Sequence, residues 1–424
     1  MPLKVIVVGA GIAGLSAAIG LAKKGLKVEV YERRVIGARD EGRAGIALGP
    51  NCDRVLQEWG MLEGMPSISH DSEKVSLGTN SDGSIVLVDI KRRGHSWWGQ
   101  RQAFKEYFRD HAIKAGAKVS DGARMVKVDL EKPSITLDDG REVQGDFIVA
   151  ADGANSRIRQ TLFPEFKPMI REQATFQVML PLEQVEKDKV LRTLKLDKYV
   201  NIVVSPGRSI FMAPTPHQHV FDLQFTDHEF PFSEDPHPDK TNETLTDLTW
   251  MKQRWHDFGP AVRKALDSAN SAFKWRFTEV MGVPRWSSPN GKVVLVGDSV
   301  HAQTPFAGQG SAMGMESGAL LAELIAHSQP GDDLSPQLAI FEKIRRPRCE
   351  LAQELSLISG DIWAIHDEKA IKTRNEMWRH ANDPGYEEVK PDMKAKFGSP
   401  QFTKWMDKYD VFQVARDELN RARL

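Results

Sequence analysis

The sequence predicts an α/β fold in which a parallel sheet and a second, mixed β-sheet are followed by a helical C-terminus. Three observations favour this fold. Residues 4–32 follow the pattern strand, glycine turn, helix, strand. Two later apolar strands, at 146–151 and 292–296, also end in glycine-bearing turns. Residues 170–285 contain alternating strand patterns separated by prolines and glycines, which indicates a separate sheet.

The first turn carries the pattern G-x-G-x-x-G directly after the β-branched strand Lys4–Val8. In such a turn Gly9 allows the tight bend, Gly11 lets the backbone approach a pyrophosphate, and Gly14 lets helix and strand pack closely. The free N–H groups at the helix start then bind the phosphates. Glu32, at the end of the second strand, is placed to accept hydrogen bonds from a ribose diol. We therefore predict a site for a nucleotide, FAD or NAD, formed by Gly9, Gly11, Ile12, Ala13, Gly14 and Glu32.

The composition is that of an ordinary globular protein, since 41% of the 424 residues are hydrophobic and 27% are charged. A net charge of -1 gives no electrostatic argument for nucleic acid or an anionic membrane. Only two cysteines occur, which argues against a disulfide framework and favours a cytoplasmic protein. The uncharged run 5–22 could suggest a signal peptide or a membrane span, but its glycines fit the β-α-β unit. We predict neither, and no metal site.

Three glycine-bearing turns thus end three apolar strands, at 9–14, 152–159 and 297–310. A single nucleotide needs one such turn, whereas a dinucleotide with a second, polyol-linked ring system could use all three. Asp298 can bind a ribityl hydroxyl. The helix that begins near Gly310 can direct backbone N–H groups at a ring carbonyl and favour negative charge there. A reduced flavin has that requirement, so this arrangement favours FAD.

In order and spacing, these motifs resemble those of the class A FAD-dependent aromatic hydroxylases, which have the p-hydroxybenzoate hydroxylase fold. The resemblance is closest to the salicylate-hydroxylase-like branch. The family motif D-G-x-x-S-x-x-R is matched in full by residues 152–159, and the G-D motif by Gly297 and Asp298, followed by Pro305 and 308–310. The tail at 399–410 is also similar to that branch, so the resemblance covers nearly the whole chain.

The resemblance implies a Rossmann-like FAD-binding domain in two parts, 1–170 and 286–365, with a mixed-sheet substrate domain at 171–285 and a helical extension at 366–424. It also implies that NAD(P)H reduces FAD, that O2 then forms a flavin C4a-hydroperoxide, and that this electrophile hydroxylates an aromatic, usually phenolic, ring.

From spacing alone Arg43 could reach a phosphate or be a solvated loop residue. The predicted cofactor contacts are Gly9, Gly11, Ile12, Ala13, Gly14, Glu32, Arg33, Arg43, Gly45, Arg101, Val126, Asp152, Gly153, Asp298, Pro305, Gly308, Gln309, Gly310 and Ser311.

One departure from the family concerns the base that deprotonates the phenol. Several members carry a histidine or tyrosine just before a proline, where this chain has Met212 and Ala213 before Pro214. Methionine cannot act as a base. The base therefore lies elsewhere, or the substrate needs none. Arg208 could act as an electrostatic aid, and His217, His219 and His228 are the candidate bases. For each of the three histidines, a structural role is the simpler interpretation. We expect the catalytic pocket to contain Arg208, Phe211, Met212 and Pro305.

Three functional hypotheses follow. The first is hydroxylation of a small aromatic acid or phenol, for example salicylate with loss of its carboxyl group. The second is hydroxylation or epoxidation of a larger aromatic or indole-type metabolite, which would explain the missing base and the middle of the chain, rich in Met, Phe and Trp. The third is a non-enzymatic FAD-binding protein, against which the intact segment 305–310 argues. We expect a monomer or homodimer that binds small molecules only.

Overall fold

The computed structural model describes residues 1–37, 45–79, 86–91, 93–194, 200–382 and 385–422. In these residues the strands β1 to β19 are, in chain order, Lys4–Val8, Lys27–Tyr31, Gly45–Leu48, His70–Asp71, Lys74–Thr79, Val86–Lys91, Trp97–Gln100, Lys118–Ser120, Met125–Asp129, Ser134–Leu137, Glu142–Gln144, Phe147–Ala150, Met169–Pro181, Val200–Ser205, Arg208–Thr215, Val220–Asp227, Asn242–Leu245, Ala272–Glu279 and Val293–Leu295. The helices α1 to α13 are Ile12–Lys23, Pro50–Glu58, Arg101–Lys114, Arg157–Leu162, Leu182–Lys187, Thr249–Arg254, Pro260–Ser268, Asp298–His301, Gly310–Leu324, Ser335–Ala364, Glu368–Arg379, Pro400–Asp407 and Val411–Ala422.

A five-stranded sheet in the order β19-β12-β1-β2-β8 forms the centre of the first domain. Each of its neighbouring strand pairs is parallel, and β1 lies in the middle. The apolar run of β1 is buried on both faces, as expected for a strand that helices cover on each side. The predicted strand-turn-helix-strand unit is therefore present as β1, α1 and β2, and the predicted α/β fold is confirmed.

Helices α1 and α9 pack unusually closely because small residues line their contact. A Cβ atom built on Gly318 would lie 2.5 Å from the backbone nitrogen of Ala17. One built on Gly20 would lie 2.8 Å from the Cβ atom of Ala322. The small-residue pattern of α9 therefore serves helix packing, and it places the start of α9 beside the first glycine turn.

An eight-stranded mixed sheet in the order β17-β18-β13-β16-β15-β14-β5-β6 forms the second domain. It includes β5 and β6, at 74–91, so the sheet extends beyond the predicted 171–285 into the first part of the chain. One face, which we call the outer face, carries Phe176 and Phe225 and packs against α6, α7 and Trp255, which follows α6. The opposite face, which we call the inner face, packs against β3 and β7 and carries Val75, Leu77, Ile202, Val204, Phe211 and Ala213.

The C-terminal helices cover parts of both domains. Helix α11 lies within the region 366–424 that the sequence predicts to be helical, and its Trp378 packs on the inner face together with Trp363 from the end of α10. Helices α12 and α13 contribute Phe402, Val411 and Phe412 to the core of the first domain. Among the described residues, no helix has both the length and the apolar character that crossing a bilayer requires.

A buried ion cluster joins α9, α10 and the C-terminal helices. The carboxylate of Glu316 accepts hydrogen bonds from Arg345 at 2.6 Å, from Arg348 at 2.7 and 2.8 Å, and from Asn51 at 2.8 Å. Burial would raise the pKa of Glu316, but the two guanidinium groups lower it to about 2. Arg348 also donates to the Met406 carbonyl at 3.0 Å, which anchors α12.

We predict that R348M destabilises the protein by about 3 kcal/mol, because it removes a charge partner from a buried carboxylate. The matched control is K343M on the same helix, where the ion pair with Glu418 is exposed and worth less than about 1 kcal/mol. Urea denaturation followed by tryptophan fluorescence measures both variants. Equal losses of unfolding free energy in the two variants would contradict the assigned role of the cluster.

Candidate functional site

A cleft of about 360 Å³ lies at the carboxyl ends of the parallel strands. The three glycine-bearing turns all contribute to its walls, together with the start of α3 on the opposite side. Ligands of open α/β sheets bind at this position. The predicted cofactor residues that line the cleft are Gly9, Gly11, Ile12, Ala13, Glu32, Arg33, Arg101, Asp152, Gly153, Asp298, Gly310 and Ser311.

The first turn has room for a phosphate at one glycine only. Gly9 has φ of +101°, and a Cβ atom there would lie 2.3 Å from the Ala151 carbonyl oxygen. A Cβ on Gly14 would lie 2.0 Å from the Gly9 carbonyl oxygen, so both glycines are required by the turn itself. A Cβ on Gly11 would meet no atom within 4 Å, because this side of the turn opens into the cleft. The arrangement fits a closely bound pyrophosphate.

Glu32 is held at the edge of the same turn. Its carboxylate accepts hydrogen bonds from the backbone nitrogen of Ala10 at 2.8 Å and from that of Arg34 at 3.0 Å. Each carboxylate oxygen can accept more than one hydrogen bond. Glu32 can therefore bind a ribose diol while it also fixes the path of the chain after β2.

The second motif largely organises its own turn. Asp152 accepts hydrogen bonds from the backbone nitrogens of Arg157 at 2.8 Å and Ile158 at 3.2 Å, at the start of α4. The buried Arg159 donates to the Ser299 carbonyl at 2.7 Å, which ties this turn to the one that carries Asp298. Burial raises the pKa of Asp152. Arg159 of this motif thus holds the turn at 152–159 next to the turn that carries Asp298.

Asp298 and the start of α9 form the end of the cleft opposite Glu32. The Asp298 residue lines the cleft. Loss of hydration raises the pKa of its carboxyl group, and the positive charge of Arg101 opposes that rise. Gly310 and Ser311 begin α9, so the unpaired N–H groups of its first turn lie at the same wall. A hydroxyl-bearing chain can bind at Asp298, and partial negative charge is favoured near Gly310.

Several predicted cofactor residues lie elsewhere. The side chain of Val126 is 43% exposed and its neighbour Met125 lines the cleft instead, because adjacent strand residues point in opposite directions. Gly14 lies behind the turn, and at β3 it is Ile46 rather than Gly45 that lines the cleft. Pro305 and Gly308 are exposed on the loop before α9, where Gln309 is buried and accepts from Asn51 at 3.1 Å. Arg43 lies outside the described residues.

The cleft also contains residues that the sequence reasoning missed. The polar ones include four basic residues, Arg34, Lys105, Arg124 and Arg157, together with Gln102 and Asn155. Lys105 could have been found, because it follows Arg101 by four residues on the same face of α3. Arg124 reaches the cleft through tertiary packing and has no local signal.

The structure corrects the predicted catalytic pocket. Arg208 forms a bidentate ion pair with Asp257, at 2.7 and 2.8 Å, on the outer-face side of the sheet. Met212 is buried in the outer-face core. Phe211 is on the inner face, where its ring centre lies 4.6 Å from that of Trp98. Since side chains alternate along β15, these three residues cannot share one pocket, and of the three only Phe211 lies on the face turned toward the cofactor domain.

The candidate histidines have structural surroundings. His217 contacts the Ser69 carbonyl at 3.2 Å, and His219 has φ of 55° in a turn. His228 is buried, contacts the Ser209 hydroxyl at 2.9 Å and stacks on Phe306 at 4.8 Å. Burial lowers the pKa of His228 to about 4, so it is neutral at pH 7. The geometry gives none of them the position of a base beside the cleft.

The inner face carries a buried carboxylate that the sequence reasoning did not identify. Asp222 accepts hydrogen bonds from the side-chain nitrogens of Gln177 at 2.8 Å and Gln224 at 3.0 Å, and from the backbone nitrogen of Gly45 at 3.1 Å. Burial raises the pKa of Asp222 to about 6, although all three donors lower it. A charged residue between buried phenylalanine and leucine in a strand was the available signal.

Comparison with known proteins places this geometry in a family. A family model described as FAD binding domain matches residues 2–356. FAD-dependent monooxygenase OpS4 of Beauveria bassiana (strain ARSEF 2860) is 26% identical over 437 residues, covering 100% of this chain and 99% of that protein. Hispidin-3-hydroxylase of Neonothopanus nambi is 26% identical over 384 residues, covering 82% and 86%.

A solved structure shares the fold along almost the whole chain. It is a salicylate hydroxylase substrate complex, with a TM-score of 0.76 at 20% identity, covering 98% of this chain and 97% of that one. The family match spans most of the sequence, and the glycine turns that it contains form the cleft. The chain therefore belongs to the FAD binding domain family and is an FAD-dependent monooxygenase of the aromatic-hydroxylase class.

Proposed function

We propose that this protein hydroxylates an uncharged aromatic ring compound larger than salicylate, with NAD(P)H as reductant and O2 as oxidant. When bound, FAD supplies the redox chemistry of the reaction. The observation that carries the substrate class is the inner face of the second sheet. In the described residues, its strands β5, β14, β15 and β16 present no lysine or arginine side chain to that face.

The inner face is suited to a flat, apolar ring. Trp98 and Phe211 pack against one another there, and Trp363 and Trp378 cover the same face from α10 and α11. Aromatic side chains bind aromatic ligands through large contact areas and preferred ring geometries. A carboxylate bound among these side chains would lose its hydration without gaining a cationic partner from strands β5, β14, β15 or β16, which is unfavourable. An uncharged substrate avoids this loss.

Other residues of the chain would bind the parts of FAD. Glu32 would bind the ribose of FAD, Gly11 would accommodate the pyrophosphate, and Asp298 would bind the ribityl chain. The first turn of α9 would favour negative charge on the cofactor ring. The apolar inner face would exclude water from the reacting atoms. The cytoplasmic location and the monomeric or homodimeric state expected from the sequence stay predictions.

We predict that β-naphthol and indole stimulate NAD(P)H oxidation by the purified, FAD-loaded protein, whereas salicylate does not. The reason is that the described strands β5, β14, β15 and β16 present no lysine or arginine side chain to the inner face. The measurement follows NADH and NADPH absorbance, hydrogen peroxide and hydroxylated product for each compound. Coupled turnover of salicylate, without turnover of naphthol or indole, would contradict the proposed substrate class. Absence of stimulated oxidation by any ring compound would contradict the enzymatic proposal.

We predict that G11V weakens FAD binding more than tenfold, because a side chain at this position would fill the space that the pyrophosphate needs. G11A should weaken FAD binding less, because alanine adds a smaller side chain than valine, and this variant therefore serves as the graded control. Both variants should keep the melting temperature of the FAD-free protein, since a Cβ atom at this position meets no protein atom within 4 Å. Unchanged FAD affinity in G11V would place the pyrophosphate elsewhere.

A further inference from the structure

We propose that Asp222 is a positioning residue that fixes Gln224 as the hydrogen-bond acceptor for a hydroxyl or ring N–H group of the substrate. The inference rests on the proposed function, because it assigns substrate recognition within the same site. It concerns the inner face, where Asp222, Gln177 and Gln224 form a polar patch beside apolar and aromatic side chains.

The strand register places this patch beside the aromatic residues. Phe211 lies opposite Gln224 on β15, and Gln177 lies opposite Gln224 on β13. Asp222 lies one step along the same face of β16, next to Ala213. Because Phe211 also packs against Trp98, a ring bound against these aromatic side chains would have Gln224 as its polar neighbour.

The carboxylate determines how the two amides point. An ionised carboxylate can only accept hydrogen bonds, so Gln177 and Gln224 must each turn their nitrogen atom toward it. The carbonyl oxygen of Gln224 therefore points away from Asp222. Gln224 is partly exposed, and within the part of the chain that the structure describes its carbonyl oxygen has no hydrogen-bond partner. This oxygen is available to a donor on the substrate.

The third donor fixes the patch relative to the cofactor cleft. Gly45 donates its backbone N–H to Asp222, and the next residue, Ile46, lines the cleft. A Cβ atom on Gly45 would lie 2.1 Å from the Trp98 ring and 2.8 Å from the Asp222 carboxylate, so this approach requires glycine. A substrate donor bound to Gln224 would consequently be held at a fixed place with respect to the flavin site.

The patch selects a chemical class of ligand. It offers an acceptor oxygen backed by a carboxylate, which suits a phenolic hydroxyl or an indole-type N–H group. A ligand with a methoxy group in place of the hydroxyl would leave the Gln224 oxygen unpaired. A carboxylate ligand would face both this oxygen and the negative charge of Asp222. The substrate is thus an uncharged ring compound with a hydrogen-bond donor.

Three variants separate positioning from stability. Q224L removes the acceptor at a partly exposed position, and D222L removes the group that orients it. In D222N the amide oxygen can take the place of the carboxylate oxygen that accepts from both Gly45 and Gln224. D222N is therefore the matched control that keeps the orientation of Gln224. Retention of FAD and the melting temperature show whether each variant is folded.

The experiment titrates the FAD-loaded protein with β-naphthol, its methyl ether and salicylate, and follows the change in flavin absorbance. We expect the wild type and D222N to bind naphthol about tenfold more tightly than the ether. In Q224L and D222L this ratio should fall to about one, and naphthol-stimulated NAD(P)H oxidation should yield more peroxide. An unchanged ratio in Q224L, or equal binding of naphthol and ether by the wild type, would overturn the assignment.

The same data distinguish this inference from the proposed function. Loss of the naphthol preference in Q224L without any stimulated NAD(P)H oxidation in the wild type would support the binding role and contradict the reaction. Stimulated and coupled oxidation in the wild type with an unchanged preference in Q224L would support the reaction and contradict the role of Asp222.

Discussion

The close packing of backbone around Ala13 is the constraint on which the cofactor site depends. A Cβ atom on Gly297 would lie 2.5 Å from the Ala13 methyl group, and one on Gly314 would lie 2.9 Å from it. The first turn, the turn before Asp298 and the start of α9 therefore meet at one small side chain. Any larger residue at these positions would separate the walls of the cleft, since protein interiors leave little space for movement.

Helix α9 also connects the cofactor cleft to the inner face of the second sheet. Helix α9 begins at the cleft and ends beyond the Glu316 cluster, which holds α10 through Arg345 and Arg348. Helix α10 in turn carries Trp363 to the inner face of the second sheet. A buried carboxylate with two guanidinium partners fixes one arrangement of these helices, because any other would leave a charge unpaired. The aromatic cover of the inner face is thereby positioned relative to the flavin-binding turn.

The sequence was informative where function depends on local backbone, and uninformative where it depends on tertiary contacts. The turns at Gly11 and Asp298 were predicted because strand, turn and helix signals are adjacent in the chain. Arg208, Phe211 and Met212 were grouped because they are neighbours in sequence, yet strand alternation separates them. Asp222 was missed because its backbone partner Gly45 is 177 residues away. The joining of β5 to β14 likewise depends on a pairing that no local pattern encodes.

The distribution of charge differs between the cofactor cleft and the inner face of the second sheet. Basic side chains line the cofactor cleft, including Arg33, Arg101 and Arg124, and they suit the phosphates of a dinucleotide. Of the described strands, β5, β14, β15 and β16 present no such side chain to the inner face, and Asp222 supplies negative charge there. Under the proposed function, an anionic ligand is attracted to the cleft and disfavoured at the inner face, and an uncharged ring with a donor group is favoured at the inner face.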